Sequence, residues 1–404
     1  MKISKLSIMT FCLYFAVFSH FYYIKNYNII ADFFLSVVVI YLLCNINVFF
    51  ASKNRNMNIA ISSFVGITFF FSLINYENTK PHINTLIVFC VSALVVIFFI
   101  EKVADANKME SFIQEVLLLH TSAVLINDII LLSRPGLEIE MDYYYLIGNK
   151  FDISYAHFLW ISLYFSSLFF EGKKAKRHQI IVGLIIVAFT CYIVNYVGCV
   201  SAVVGSIFMT GCILLMIFGR VLFSNEKASC LFLFGSTAFT VANGFVLNIS
   251  FVRTFIKDVL GHGLTLSGRI FTYQKALNIL SDHWLIGLGY GTTYSLGMRL
   301  GGFPNTQNAL LEWIWQCGII GTALLILSIH FALVGKNSSE TVYPFIILIN
   351  LLLILASVEI TINMLFIVVV AIVYGLKTER KFVHNNTMGE YKHNGKINIQ
   401  KCNV

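Results

Sequence analysis

The residues with the most chemical potential gather in one polar stretch, residues 251–310, which holds five cationic side chains between long apolar runs. A guanidinium donates two parallel hydrogen bonds to a phosphate group and keeps its charge. Arg269 stands where a helical pattern begins, and a helix N-terminus also favours an anion. Arg269 is therefore the first candidate for binding an anionic group. Weaker candidates of the same kind are Arg253, Lys275 and Arg299 here, and Arg134 in a second polar stretch, residues 133–152.

Few side chains in this stretch could move a proton. His283, next to Asp282, could accept one near neutral pH. Gln307 and Asn308 cannot act as bases, but their amides could orient a hydroxyl group by hydrogen bonding. Glu312 follows at the start of an apolar run. It is either a further candidate or a charge that stabilises the N-terminus of a helix.

The composition argues against two other kinds of site. The glycine-rich run at 287–291, GLGYG, lacks the G-x-G-x-x-G spacing and follows no buried strand, so a nucleotide loop is rejected. We expect this run to pack flexibly near a membrane. The nine cysteines form no C-x-x-C pair and show no Cys/His metal spacing. The sequence therefore predicts neither a cofactor nor a metal.

The elements that must position these residues are membrane helices. Hydrophobic residues make up 58% of the 404 and charged residues 12%, and the mean hydropathy is +0.79. A soluble domain carries about 25% charged residues. With so little charge, the chain could not cover itself with polar surface in water. The net charge of +8 is spread between apolar runs and does not indicate nucleic-acid binding.

Apolar runs of spanning length divide the chain. In lipid, every backbone N–H and C=O must be satisfied within the segment, so these runs are predicted to be helices. The sequence thus predicts one all-α polytopic domain over residues 1–376 and a polar basic tail over 377–404. The runs fall approximately at 6–24, 29–50, 57–74, 83–100, 109–132, 153–170, 180–198, 200–219, 229–250, 311–334, 341–358 and 360–376.

The distribution of Lys and Arg predicts the orientation. With the N-terminus in the cytoplasm and alternating crossings, the cytoplasmic side receives 19 of the 28 basic residues. Both termini are then inside, and the tail lies at an anionic inner leaflet. Five of the nine remaining basic residues lie in 251–310, which becomes a large extracytoplasmic loop. Residues 133–152 form a smaller loop on the same side.

The large loop has an ordered pattern. Ser267-Gly268-Arg269 precedes an amphipathic helix over 269–280, whose apolar face is Ile270, Tyr273, Ala276, Leu277 and Leu280. WLIGLGYG follows, then a variable loop, then QNALLEWIWQCGIIG entering a helix. This order, over Ser267 to Gly321, resembles the signature loop of the O-antigen ligase/polymerase superfamily, and most closely its Wzy-type polysaccharide polymerases. The number of helices and the position of the loop also fit.

The resemblance implies a glycosyltransferase reaction. An acceptor sugar hydroxyl attacks the anomeric carbon of an undecaprenyl-diphosphate-linked glycan, and lipid diphosphate leaves. Arg269 would then bind the diphosphate, with Arg253, Lys275, Arg299, Arg134 and Glu312 as further substrate contacts. His283, Gln307 and Asn308 would join Arg269 in the catalytic set. The implied partners are the lipid-linked donor and acceptor, the bilayer, and a chain-length regulator and flippase of the same pathway.

The chain departs from the family pattern at two places. Gln307 stands at the family's histidine position, followed by the expected Asn308. Val200 stands where an arginine is expected, at the tight hairpin between two central helices. Because polymerases vary more than ligases at these places, the departures favour a polymerase that builds O-antigen, capsule or exopolysaccharide at a bacterial cytoplasmic membrane. The alternatives are an O-antigen ligase-like transferase and, from a different class, a flippase or transporter of lipid-linked oligosaccharide.

Overall fold

The computed structural model describes residues 4–18, 21–45, 55–139, 142–170, 175–224, 226–246, 269–334 and 340–379. A helix lies in each of the twelve predicted apolar runs, so the helical part of the prediction is confirmed. The predicted tail beyond Glu379 and the first part of the large loop, with Arg253, lie outside the described residues. The helices are α1 Lys5–Leu13, α2 Tyr27–Leu43, α3 Arg55–Ile74, α4 Tyr76–Thr79, α5 Ile83–Asp105, α6 Met109–Ser133, α7 Lys150–Leu168, α8 Arg177–Tyr196, α9 Val200–Ile217, α10 Glu226–Val246, α11 Arg269–Leu280, α12 Thr293–Leu296, α13 Ala309–Leu333, α14 Tyr343–Leu355 and α15 Met364–Thr378.

Two kinds of helix build the bundle. Among the described residues, six helices are long and apolar enough to cross a membrane: Asn56–Ile74, Ile83–Asp105, Met109–Ser133, Arg177–Tyr196, Val200–Ile217 and Ala309–Leu333. The helices α14 and α15 are shorter. Every residue of α14 except Ile354 is buried, so this helix packs against protein on all sides. The chain is thus a membrane protein whose most buried helices lie inside the bundle.

Helices from the first and last parts of the chain pack against each other. Helix α13 packs mainly along α3, and α15 packs along α5. Helix α7 lies against α6, α8 and α14. Helices α8 and α9 form the predicted tight hairpin, turning at Gly198 in the left-handed region with φ of 66°. A two-stranded antiparallel hairpin, β1 Leu137–Ile139 and β2 Asp142–Tyr144, is a small exception to the all-α prediction.

The predicted amphipathic helix is confirmed as α11. Its side chains Tyr273, Ala276 and Leu280 are fully buried. They pack with Leu288, Leu296, Phe303, Leu311 and Trp315 in a core of their own. The apolar period seen in the sequence therefore buries the helix against the rest of the large loop and the start of α13.

Helix α13 is broken at Gly318, and the glycine-rich run fills the break. Gly318 has φ of 64°, which removes the regular helical bonds around it. The freed carbonyls of Trp315 and Gln316 accept hydrogen bonds from the N–H groups of Leu288 (2.6 Å) and Gly289 (3.2 Å). In return, Ile319 donates to the carbonyl of Trp284 (2.8 Å). The exposed polar groups of the broken helix are thereby satisfied.

The run 284–291 is also bound from its other side. Asn75 Nδ2 donates to the carbonyl of Gly287 (3.3 Å), and Thr79 Oγ1 donates to that of Leu288 (2.6 Å). The N–H of Tyr290 donates to Ser72 Oγ (3.0 Å). The expectation of a flexible run is therefore wrong, because bonds to α13 on one side and to the end of α3 on the other fix it. We call this assembly of residues 284–291, the break in α13 and residues 72–79 the loop lock.

Candidate functional site

Several helices begin around one cavity, at the end of the bundle that also carries the loop lock. The cavity has a volume of about 420 Å³. Its lining includes the N-cap residues of α7 and α15 and the residue that precedes the N-cap of α13. The lining residues are Tyr144, Asn149, Phe151, Asp152, Tyr155, Tyr294, Pro304, Asn305, Gln307, Glu359, Ile360 and Asn363.

This lining combines aromatic rings with amides and carboxylates. Aromatic rings offer flat apolar faces, and amides and carboxylates offer hydrogen-bond donors and acceptors at fixed positions. Helix N-termini add partial positive charge, and the carboxylates of Asp152 and Glu359 add negative charge. The cavity can therefore hold a polyhydroxylated ligand.

Glu359 connects the cavity to the large loop. Its Oε1 lies 2.8 Å from Nη2 of Arg269, the first residue of α11. Oε1 also accepts a hydrogen bond of 3.3 Å from Ser201, in the first turn of α9. Arg269 is not among the lining residues, so in this structure its guanidinium reaches the cavity through Glu359. The α8–α9 hairpin, where an arginine was expected at Val200, thus reaches the site through Ser201.

Burial raises the pKa of Glu359 to about 6, although Arg269 and Ser201 lower it. The charge of Lys150 lowers it further. A carboxyl with this pKa is mostly ionised at neutral pH and still a better proton acceptor than an exposed glutamate. Glu359 therefore combines a position on the cavity with suitable proton affinity.

Tyr155 lines the same cavity and has a buried hydroxyl. It lies in the second turn of α7 and is 4% exposed. Within the described part of the chain, its hydroxyl has no hydrogen-bond partner. A buried polar group without a partner costs free energy, and a bound ligand can remove that cost. The unpaired hydroxyl of Tyr155 therefore indicates a place where a ligand group could form a hydrogen bond.

The start of α7 supplies a cation and a second carboxyl. Lys150 does not itself line the cavity, but its Nζ lies 5.4 Å from the ring centroid of Phe151, which does. Asp152 closes a capping box with Asn149, in which its Oδ2 accepts the N–H of Asn149 at 3.1 Å. Burial raises the pKa of Asp152 to about 6. The two side chains belong to residues only two positions apart in the first turn of α7.

A second, smaller cavity of about 220 Å³ adjoins the first. The two share Asp152, Tyr155 and Asn363 as lining residues. Its other walls are mostly apolar and include Phe18 and His120. The three shared residues therefore lie between the polar cavity and a smaller, more apolar one.

Gln307 is the predicted catalytic residue that lies on the cavity. Its backbone is left-handed, with φ of 51°, and its N–H donates to Asn305 Oδ1 at 3.0 Å. Asn308 is turned the other way and caps α13, because its Oδ1 accepts the N–H of Leu311 at 2.8 Å. Its Nδ2 donates to the carbonyl of Ser357 at 3.0 Å. The two neighbouring amides therefore face different surroundings.

Glu312 lies in the first turn of α13 and is buried with both oxygens occupied. Oε1 accepts hydrogen bonds from Thr293 and from Gln316 Nε2 (2.9 Å). Oε2 accepts from the hydroxyl (2.8 Å) and the N–H (3.3 Å) of Thr306. These bonds tie α12 and the loop before α13 to the helix. In this structure Glu312 holds protein rather than lining the cavity.

The other predicted residues lie apart from the cavity. Lys275 Nζ donates to the carbonyl of Gly301 (2.6 Å) and lies 4.1 Å from the ring centroid of Phe271. Arg299 and Arg134 are exposed, and His283 is half-buried in the turn after α11. Arg253 falls outside the described residues. What each of these side chains does to a substrate stays a prediction.

Sequence reasoning missed Lys150, Asp152 and Tyr155 as site residues. Lys150 was counted only for topology, and Tyr155 reads as one more aromatic in an apolar run. Glu359 was noticed as an acid between two apolar runs, which is a costly place for a charge. That cost was the signal in the sequence that pointed to Glu359.

In comparisons with known proteins, neither a family model nor a curated protein matches this chain. Among the residues that the structure describes, no group of three or more His, Cys, Asp and Glu side chains is arranged to hold a metal ion.

Proposed function

We propose that this chain polymerises lipid-diphosphate-linked glycan repeat units at the outer face of a bacterial cytoplasmic membrane. In this proposal about twelve helices cross the membrane, both termini lie in the cytoplasm, and the cavity opens on the opposite side. The donor and the acceptor are both glycans on an undecaprenyl diphosphate carrier, and the product is O-antigen, capsular or exopolysaccharide.

One observation carries the proposal. A cavity rich in aromatic and amide side chains lies where apolar helices begin, with Glu359 and its ion pair to Arg269 on its wall. A glycan needs the rings and amides, and a membrane-bound donor needs a site at the end of a bundle.

The charges around the cavity suit a diphosphate. Lys150 lies beside the lining residue Phe151, its charge acts on Glu359, and the N-termini of α7 and α15 border the cavity. Cations and helix N-termini both stabilise a developing negative charge on a leaving group. Departure of the carrier diphosphate would therefore be assisted on the side of the cavity where Lys150 lies.

The glycans of cells lacking this protein test the proposal. Loss of a polymerase leaves single repeats on the carrier or the lipid core, whereas loss of a ligase leaves finished polymer on the carrier. Loss of a flippase traps single repeats on the cytoplasmic side. Single repeats at the outer face, restored to polymer by the intact chain, support the proposal, and either other pattern overturns it.

Binding of inorganic diphosphate to the purified protein tests the charge argument. Lys150→Gln should weaken binding about fivefold or more, which is about 1 kcal/mol, a typical worth of one charge-assisted contact. Lys25→Gln is the matched control, because Lys25 is exposed and does not line the cavity. Equal affinities for the two variants would remove Lys150 from the site.

A further inference from the structure

The two oxygens of Glu359 have different surroundings. Oε1 is held by Arg269 and by Ser201. Within the described ranges, Oε2 makes no hydrogen bond, and it is not among the buried atoms that lack a partner. Because Glu359 lines the cavity, Oε2 is the oxygen available to a ligand there. One oxygen fixes the carboxylate, and the other is left to react.

We propose that Glu359 is the catalytic base of the transfer, a proposal that rests on the function proposed above. Oε2 takes the proton of the acceptor hydroxyl as the O–H bond breaks. The hydroxyl oxygen then bonds to the anomeric carbon of the donor. The bond from that carbon to the phosphate oxygen breaks, and its electron pair stays on the lipid diphosphate. Glu359 returns its proton to water before the next transfer.

Glu359 can supply the proton acceptor that is missing at position 307. The family's histidine position is Gln307, whose amide cannot accept a proton at neutral pH. Gln307 and Glu359 line the same cavity, so an amide can orient the acceptor while the carboxylate takes its proton. His283, the base predicted from the sequence, is not among the lining residues.

Arg269 acts here as a positioning residue. Its guanidinium fixes Oε1 at 2.8 Å, and its positive charge keeps Glu359 ionised although burial favours the neutral form. Tyr155 supplies the complementary group, since it lines the same cavity and its buried hydroxyl has no partner among the described residues. The acceptor sugar would lie between the Tyr155 hydroxyl and Oε2.

Asp152 is the rival base on the same cavity. Its Oδ2 is engaged by the N–H of Asn149 in the capping box, so proton transfer there would weaken the start of α7. The groups that interact with Glu359 from the surrounding elements are Arg269, Ser201, Lys150, Tyr155 and Tyr273, and Asp152 and Tyr294 line the same cavity. Because the pKa of Asp152 is also about 6, a pH profile must be measured with variants of both carboxyls.

Polymerisation by the reconstituted full-length protein tests the base. The substrate is the lipid-linked repeat unit extracted from cells that lack this protein. Glu359→Gln should lower kcat on the order of 100-fold or more, the range of general base catalysis, with little change in KM. Glu138→Gln is the control, because Glu138 is exposed on the β-hairpin. A Glu359→Gln enzyme within fivefold of the wild-type rate overturns the assignment.

A double variant controls for misfolding of Glu359→Gln. Glu359→Gln leaves the Arg269 guanidinium without its carboxylate, which can destabilise the fold by itself. Arg269→Gln with Glu359→Gln removes both charges together, so this double variant should fold and still fail to polymerise. A folded double variant that polymerises at the wild-type rate overturns the base.

The pH dependence separates Glu359 from Asp152. A base must be ionised, so the wild-type rate should be full above the pKa of about 6 and fall as the pH drops through it. Asp152→Asn should keep this limb, and the residual rate of Glu359→Gln should lack it. The opposite pattern assigns the base to Asp152. If the wild-type protein forms no polymer at all, the proposed function fails. If the wild-type protein forms polymer and Glu359→Gln is equally active, the function stands and the assignment of the base fails.

Discussion

The loop lock and the cavity lie at the same end of the bundle, and each has a buried glutamate beside it. Glu312, next to the lock, accepts hydrogen bonds from four donors spread over both oxygens. Glu359, on the cavity, has both of its bonds on one oxygen. The residue type, the burial and the position at a helix end are alike. What separates a structural carboxylate from a reactive one here is whether its second oxygen is already used.

The backbone and the hydroxyl groups show the same contrast. In the lock, the carbonyls of Trp315 and Gln316, freed by the break in α13, are paired with the glycine-rich run. On the cavity, the Tyr155 hydroxyl has no partner among the described residues. A buried polar group left unpaired costs about 1–3 kcal/mol. The polar groups of the lock therefore stabilise the fold, whereas the cavity has a polar group that remains available to a ligand.

The largest effect should follow from breaking the lock at Gly318. A Cβ there would lie 2.1 Å from the carbonyl oxygen of Leu285, and the φ of 64° strains any other residue. Gly318→Ala should cost more than about 4 kcal/mol and remove the folded fraction in detergent, measured by size-exclusion chromatography. Gly211→Ala is the control, since a Cβ there meets nothing within 4 Å. Equal folded yields for the two variants would contradict the lock.

A smaller effect should distinguish the two glutamates. Glu312→Ala strands the donors of Thr293, Thr306 and Gln316, at about 1–3 kcal/mol for each one left buried. Glu359→Ala strands Arg269 and Ser201, beside a cavity that water can enter. Thermal unfolding should therefore show a lower Tm for Glu312→Ala than for Glu359→Ala. The reverse order would mean that Glu359 holds the fold and that the contrast between the regions is false.

The smallest effect on the fold should come from the Tyr155 hydroxyl. Tyr155→Phe removes a group with no partner in the described structure, so its Tm should stay or rise, while polymerisation falls about tenfold, or 1.4 kcal/mol, for a lost contact to the substrate. Tyr273→Phe is the matched control, because that hydroxyl donates to the carbonyls of Gln307 and Ser357. It should lose stability by about 1 kcal/mol. Unchanged activity in Tyr155→Phe would exclude its hydroxyl from the site.

The helices could be predicted because their signal is local. Hydropathy alone located a helix in each of twelve apolar runs, and the 3.6-residue period over 269–280 placed Tyr273 and Leu280 in a core. The break in α13 was missed, although its glycine was visible, because it depends on a partner segment about 30 residues earlier. A single glycine in a helix has no local signature of a break.

The site could be predicted only in part because it is assembled from distant segments. Arg269 was singled out from its charge and its place at a helix start, but its contact with Glu359 lies 90 residues away. Nothing around Tyr155 distinguishes it from the aromatics beside it until the cavity is seen. Asn308 and Glu312 were singled out by neighbourhood to Gln307, and the helix geometry turns both away from the cavity.

The loop lock also has a consequence for how the chain is assembled in the membrane. Its bonds join Ser72 to Tyr290, Asn75 to Gly287 and Thr79 to Leu288, at sequence separations of 218, 212 and 209 residues. During synthesis, the end of α3 is made before its hydrogen-bonding partners in the glycine-rich run, and all the residues between them are made first. The glycine-rich run must then reach it before the break in α13 can be covered on both sides. The lock can therefore close only after the chain has been made as far as Ile319, whose N–H donates to the carbonyl of Trp284.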